Sequence, residues 1–198
     1  MNLFNLHHFY LPYKLKLVLF LFSVAIFLYY RYKPKKNYRH IRNIEKSKRI
    51  LFKMNEFDGD YREARIIAYL RKIDPYVFEE LLLEALLAKG FEVVRNKRYS
   101  GDGGIDGKAH YNGQLYYIQA KRYQKYIALK HLDEFQKKVG KDKGLFIHTG
   151  KTGKETFQKY KHTNIEIISG QRLIDLVAKV PLCQQQEKVL EKEPLQSL

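Results

Sequence analysis

Asp106, Gln119 and Lys121 are a carboxylate, a carboxamide and an ammonium, spaced so that one β-hairpin would bring them onto a single face. The stretch reads Gly101-Asp102-Gly103-Gly104-Ile105-Asp106-Gly107, then Lys108 to Tyr111, Asn112-Gly113, and Gln114 to Lys121. Asn-Gly between two β-prone runs signals a two-residue turn, because both central residues must take positive φ. Folded there, Tyr111 faces Gln114 and, counting outward, Asp106 falls opposite Gln119. Side chains alternate along a strand, so Lys121 shares the face of Gln119. Such a patch could hold a divalent cation and an attacking water.

The flanking segments must position that hairpin. Asp74-Pro75 starts a helix, with a capping Asp and Pro at the first helical position, and Gly90 ends it after about Lys89. Around this helix Glu80 and Glu84 fall together and read as a solvated face. Glu79 lies instead in an arc with Leu82, Leu83 and Leu86, where a carboxylate is costly unless paired or near a metal. Phe91 to Asn96 reads as a strand. After the hairpin come a helix over Leu129 to Lys138, a strand over Gly144 to His148 and a helix from Thr152 or Gly153 to Tyr160. A strand over Ile165 to Ile168 and a closing helix over Gln171 to Lys179 follow. Tyr116, Ile118 and Ala120 form the hairpin face that looks toward the core. This order implies an α/β fold, a mixed sheet flanked by helices.

Upstream, Leu17 to Tyr30 carries no charge and only Ser23 as a small polar residue. Extended back past Lys16 to Phe9, it reaches the roughly 20 residues that cross a bilayer core. Lys14 and Lys16 could snorkel, and Tyr10, Tyr13, Tyr29, Tyr30 and Tyr32 suit interfacial belts. Arg31, Lys33, Lys35, Lys36, Arg39 and Arg42 follow, with no acid before Glu45. A single transmembrane helix with its C-terminal side in the cytoplasm is the expectation, with membrane lipid as a partner. A cleaved signal peptide would carry its charge before the apolar run and a small-residue site after it. The expected organisation is an anchor over 1–32, a basic linker and helical stalk over 33–73, a catalytic domain over 74–180 and a flexible tail over 181–198. The stalk either packs on that domain or spaces it from the membrane.

The formal charge of +16 points to a polyanionic partner. The lone Cys183 excludes a disulfide framework, and no Cys/His zinc pattern is present. Gly150-Lys151-Thr152 invites a phosphate-loop reading, but that motif requires glycine where Leu145 stands.

Phe78-Glu79, Gly90-Phe91-Glu92-Val93, Gly101 to Gly107 and Gln119-Ala120-Lys121-Arg122-Tyr123 together resemble the Mrr-type restriction endonuclease family of the PD-(D/E)XK nuclease superfamily. Phe146-Ile147-His148-Thr149, Lys154-Glu155 and Ile165 to Leu173 resemble its last strands and helices. The resemblance covers about residues 75–180. It implies a restriction-endonuclease-like fold and DNA as substrate. Asp106 resembles the metal-binding aspartate, and Lys121 the catalytic lysine. Gln119 takes the place usually held by Glu or Asp, and Glu79 resembles the helix glutamate that completes the acidic cluster. The family's typical metal is magnesium, with manganese as a substitute.

The chemistry agrees. Mg²⁺ takes hard oxygen ligands and keeps several waters, so one or two carboxylates suffice. Asp106, the Gln119 side-chain oxygen and the Ala120 carbonyl could supply the protein oxygens, with Glu79 binding the metal or one of its waters. Lys121 could orient the attacking water and offset charge building on the phosphate. A neutral Gln119 weakens cation affinity, which raises the importance of Glu79. Arg98, Arg122, Lys125, Lys151 and Lys154 could contact DNA phosphates, within a wider set including Arg95, Lys97 and Lys130. Cutting both strands would favour a homodimer, although no interface signal is visible. The leading expectation is a membrane-anchored, Mg²⁺-dependent DNA endonuclease. A catalytically weak or inactive DNA-binding module is the alternative, and RNA or branched DNA stays open as substrate.

Overall fold

The computed structural model describes residues 12–32, 38–96 and 103–178. The chain divides into two compact units, Met1–Tyr38 and Arg39–Leu198. In the first, α1 runs over Tyr13–Tyr32, with Leu17, Phe20, Phe22 and Phe27 all exposed. Among the described residues no helix is long and apolar enough to cross a membrane. The expected transmembrane helix is therefore not met by α1 as it stands. Lys14 and Lys16 fall in its first turns and Arg31 in its last, leaving 17–30 as the uncharged stretch. At 1.5 Å per residue that stretch spans about 21 Å, against a hydrocarbon core of about 30 Å. Residues 9–11, into which the expected span extended, lie outside the described residues. So do linker residues 33–37, residues 97–102 with Arg98 and Asp102, and the tail.

The second unit contains a five-stranded sheet in the order β1-β2-β3-β4-β5: Glu92–Arg95, Gly107–Tyr111, Gln114–Lys121, Lys143–His148 and Ile165–Ile168. β1, β2 and β3 pair antiparallel, whereas β4 and β5 add in parallel beyond β3. The mixed sheet matches the sequence expectation. The helices are α2 (Tyr38–Glu56), α3 (Arg62–Lys72), α4 (Pro75–Ala88), α5 (Leu129–Val139), α6 (Lys154–Tyr160) and α7 (Gln171–Ala178).

Period-two alternation splits the core into two layers. Ile118, Ala120, Leu145 and Ile147 pack with α2, α3, α4 and α7. Tyr117, Phe146 and Ile165 pack with α5 and α6 through Leu132, Phe135, Val139 and Tyr160. Parallel strands covered on both faces run apolar without alternation, as Leu145-Phe146-Ile147 does.

The stalk packs rather than spaces. α2 buries Ile50, Leu51 and Met54, and α3 buries Ile66 and Leu70, all in the same layer as α4. This overturns the solvated reading of Glu80 and Glu84, which are 2 % and 4 % exposed. Glu80 pairs with His40 of α2 at 3.0 Å and with Arg95 of β1 at 3.0 Å, and Arg95 also reaches Glu84 at 2.5 Å. A carboxylate inside a protein must be paired. Here the partners come from a helix and a strand far away in sequence.

Candidate active site

Asn112 and Gly113 take φ of 49° and 74°, the two positive values of a two-residue hairpin turn. The register follows: Tyr111 pairs with Gln114 and Gly107 with Ile118, so Asp106 stands opposite Gln119. The Asp106 N–H donates to the Ile118 carbonyl at 2.8 Å. Its Oδ2 accepts the Ala120 N–H at 2.7 Å. The metal-binding candidate is thus locked to the strand that carries Gln119, Ala120 and Lys121.

Gln119 is buried. Its Nε2 donates to the Gly104 carbonyl, which fixes the orientation of the amide. Its Oε1 is buried and has no hydrogen-bond partner among the described residues. A buried carbonyl oxygen without a donor costs about 1–3 kcal/mol, so an acceptor left open here is costly until a donor or a cation meets it. The turn above it is built for close approach. Gly104 has φ +90°, and a Cβ there would lie 2.8 Å from Gln119 Nε2. Lys138 of α5 donates to the Gly103 carbonyl and braces the turn.

α4 brings in Glu79. Asp74 caps this helix by accepting the N–H groups of Tyr76 at 2.9 Å and Val77 at 3.3 Å. Glu79 is half-buried. Burial pushes its carboxyl up to about 8; the negative charges of Asp106 and Glu80 add to the rise, and the Lys121 ammonium opposes it. Glu79, Asp106 and Lys121 therefore share one electrostatic field, and a cation would relieve the repulsion between the two carboxylates. Among the described residues no group of three or more His, Cys, Asp or Glu side chains is arranged to hold a metal ion. The candidate set here is different: two carboxylates, the Gln119 amide oxygen and the Ala120 carbonyl. With waters completing the shell, that donor chemistry suits a hard divalent cation.

The candidate DNA contacts divide. Lys125, Lys151 and Lys154 are exposed. The Lys151 N–H donates to the Lys125 carbonyl at 2.9 Å, so the first two lysines sit on adjoining segments. Gly150 permits this approach, since a Cβ there would lie 2.5 Å from the Lys125 carbonyl oxygen. Arg122 turns inward and donates to the carbonyls of Arg71, at 3.2 Å, and Ile73. Arg71 in turn donates to the Thr149 carbonyl at 2.8 and 3.1 Å. These arginines fasten the ends of β3 and β4 to the junction between α3 and α4. Arg95, one of the wider basic set, is taken up by Glu80 and Glu84.

One neighbour of the site was not legible as such. His148, the register partner of Lys121, is fully buried, and burial pushes it down to about 4. Its Nδ1 accepts the Gly150 N–H at 3.1 Å, leaving Nε2 to donate to Thr152 Oγ1 at 3.1 Å. Neutral His148 thus holds the loop that carries Lys151. A histidine closing an apolar strand before Thr-Gly was the available signal. Lys138 carried none, because its bond spans 35 residues.

The family model for the Mrr catalytic domain (Mrr_cat), described as a restriction endonuclease, matches residues 70–177. The chain belongs to the Mrr_cat restriction endonuclease family. The Mrr_cat match begins at the end of α3 and closes within α7, so α1 and α2 lie outside it. No curated protein matches the chain. The chain is similar in fold to the MspJI restriction endonuclease solved with a 27-mer oligonucleotide, at 19 % identity and a TM-score of 0.50. That likeness covers 61 % of this chain, which spans about a third of the MspJI chain (32 %). A crystal structure of AF1548, a protein of unknown function, aligns at 18 % identity and a TM-score of 0.41, over 51 % of this chain and 65 % of that one.

Proposed function

We propose that this chain is a divalent-metal-dependent DNA endonuclease whose site is formed by Glu79, Asp106, Gln119 and Lys121. The observation that carries the reading is the buried Oε1 of Gln119, which has no hydrogen-bond partner among the described residues, beside an aspartate locked to the same hairpin. Asp106, Gln119 Oε1 and the Ala120 carbonyl would hold Mg²⁺ or Mn²⁺, with Glu79 completing the set. When bound, the cation would neutralise the phosphate and lower the pKa of an attacking water. Lys121, at the exit of β3, would orient that water and offset charge building on the phosphoryl oxygens. Asp106 keeps its orientation because the Ala120 N–H holds one of its oxygens. Exposed Lys125, Lys151 and Lys154 would grip the duplex backbone, with Arg122 positioning the strand end. Double-strand cleavage would bring two copies together.

The N-terminal segment would attach the enzyme to a membrane, with the Mrr_cat domain on the cytoplasmic side. The exposed apolar residues of α1 and the basic run after it support this. Carbonate-washed membranes should retain the full chain and lose a variant with Phe20, Phe22 and Phe27 changed to Ser. Retention of that variant would refute the attachment.

The activity is tested with the full chain on supercoiled plasmid in Mg²⁺, Mn²⁺ or EDTA. Metal-dependent nicking or linearisation is expected, and Asp106→Ala or Lys121→Ala should slow it by about 10²-fold or more. Cleavage that persists in either variant would sink the mechanism. DNA binding without metal-dependent cleavage would favour a non-catalytic module. Methylated, branched and RNA substrates run in parallel would define the substrate.

A further inference from the structure

α2, which lies outside the Mrr_cat match, and the start of α4, which lies within it, enclose a groove of about 410 Å³ lined by Arg39, Arg42, Asn43, Lys46, Asp74 and Val77. Three cations there face one carboxylate. That carboxylate is already engaged, because Asp74 Oδ1 accepts the N–H groups that it caps. Arg39, Arg42 and Lys46 are exposed, and the Arg39 guanidinium lies 4.8 Å over the Tyr76 ring, which places it at the rim. The spacing of three and four residues puts these cations on one stripe, beside the buried Asn43, Ser47 and Ile50 that seat α2 on the domain. Arg49 and Lys53, also exposed, continue the stripe.

The groove adjoins the catalytic end of the domain. Asp74 lines it, and the charge of Asp74 also reaches Glu79. Ile73, the residue before, accepts from Arg122, the neighbour of Lys121. From Arg39 to Lys46 the helix rises about 10 Å. At 3.4 Å per nucleotide along one strand, that is the length of about three nucleotides.

We infer that this groove is a second phosphate-binding track, in which α2 grips the backbone of the nucleic acid beyond the stretch held at the catalytic site. The inference rests on the endonuclease reading above and adds to it a contact that the Mrr_cat domain does not contain. Phosphodiester is favoured over lipid headgroups because the groove is concave between two helices of the catalytic unit, and because its cations run along a line.

The test measures binding of the full chain to a 30-bp duplex in Ca²⁺ across a salt series. The variant combines Arg39→Gln, Arg42→Gln and Lys46→Gln. Wild-type cleavage in Mg²⁺ is scored separately, so failure of the endonuclease reading is seen in the wild type alone. Each lost phosphate contact lowers the slope of log K against log salt by about 0.9, so the variant slope should be shallower by about two to three. The charge-keeping variant Arg39→Lys, Arg42→Lys, Lys46→Arg should retain the wild-type slope, which separates lost contacts from lost folding. An unchanged slope in the glutamine variant, with wild type cleaving, would overturn the inference. So would an unchanged slope together with lost binding to phosphatidylserine vesicles, which would make the groove a lipid contact.

Discussion

Gly104→Ala is the sharpest probe of how the site is assembled. The residue sits at φ +90°, and an added Cβ would lie 2.8 Å from Gln119 Nε2. Ordinary contact begins near 3.4 Å, so the Gln119 amide would have to retreat by about 0.6 Å and give up its bond to the Gly104 carbonyl. Backbone strain at positive φ costs about 1–2 kcal/mol, and the lost hydrogen bond about 0.5–1.5 kcal/mol. The expected destabilisation is therefore about 2–3 kcal/mol. Misplacing a ligating group by about 1 Å can cost about 10²-fold in rate, so cleavage should fall by about 10- to 100-fold. Gly113→Ala is the matched control. It has φ +74° but nothing within 4 Å of the added Cβ, so it should show the strain alone, with cleavage within about threefold. Urea unfolding in EDTA and plasmid cleavage in Mg²⁺ read the two effects. A Gly104→Ala protein within about 0.5 kcal/mol of wild type and cleaving at the wild-type rate would refute the close-approach argument.

Glu79 makes metal-free stability depend on pH. Its folded pKa of about 8 lies above its ordinary value of 4.5, so between those values the folded chain holds a proton that the unfolded chain has released. Stability should fall as pH rises through that window; Glu79→Gln should flatten the slope in urea melts at pH 5, 6.5 and 8 in EDTA. Arg95→Ala would leave Glu80 and Glu84 buried without their shared partner, costing about 3–5 kcal/mol by urea unfolding. Adding Glu84→Gln should recover part of that loss.

The parts read correctly from the sequence are those fixed by near neighbours. Asn112-Gly113 sets its turn by backbone preference alone, and the register then carries Asp106 to Gln119 with no further information. Asp74-Pro75 does the same for α4, and three isoleucines around Glu166, between turns, give β5 its bounds, Ile165–Ile168. The misreadings fall where a partner arrives from a distance. On a helical wheel Glu80 and Glu84 form a polar side. His40 and Arg95, which claim them, lie 40 and 15 residues from Glu80, and nothing periodic marks the pairing. The engagement of Arg122 with the carbonyls of Arg71 and Ile73 is equally invisible to periodicity.

That division also orders the birth of the domain. The hairpin closes with partners a few residues apart. The braces around it close late: Arg71 reaches Thr149 across 78 residues, and Arg62 reaches the Ala178 carbonyl across 116. Local pairing is fast and long loop closure is slow, and chains emerge from the ribosome N-terminus first. The hairpin with Asp106, Gln119 and Lys121 can therefore pair while β4 and α7 are still unmade. Its supports lock in turn, the Arg71 brace once β4 is made and the Arg62 contact once α7 docks. A chain stopped short of α7 would carry its chemistry on an incompletely braced scaffold.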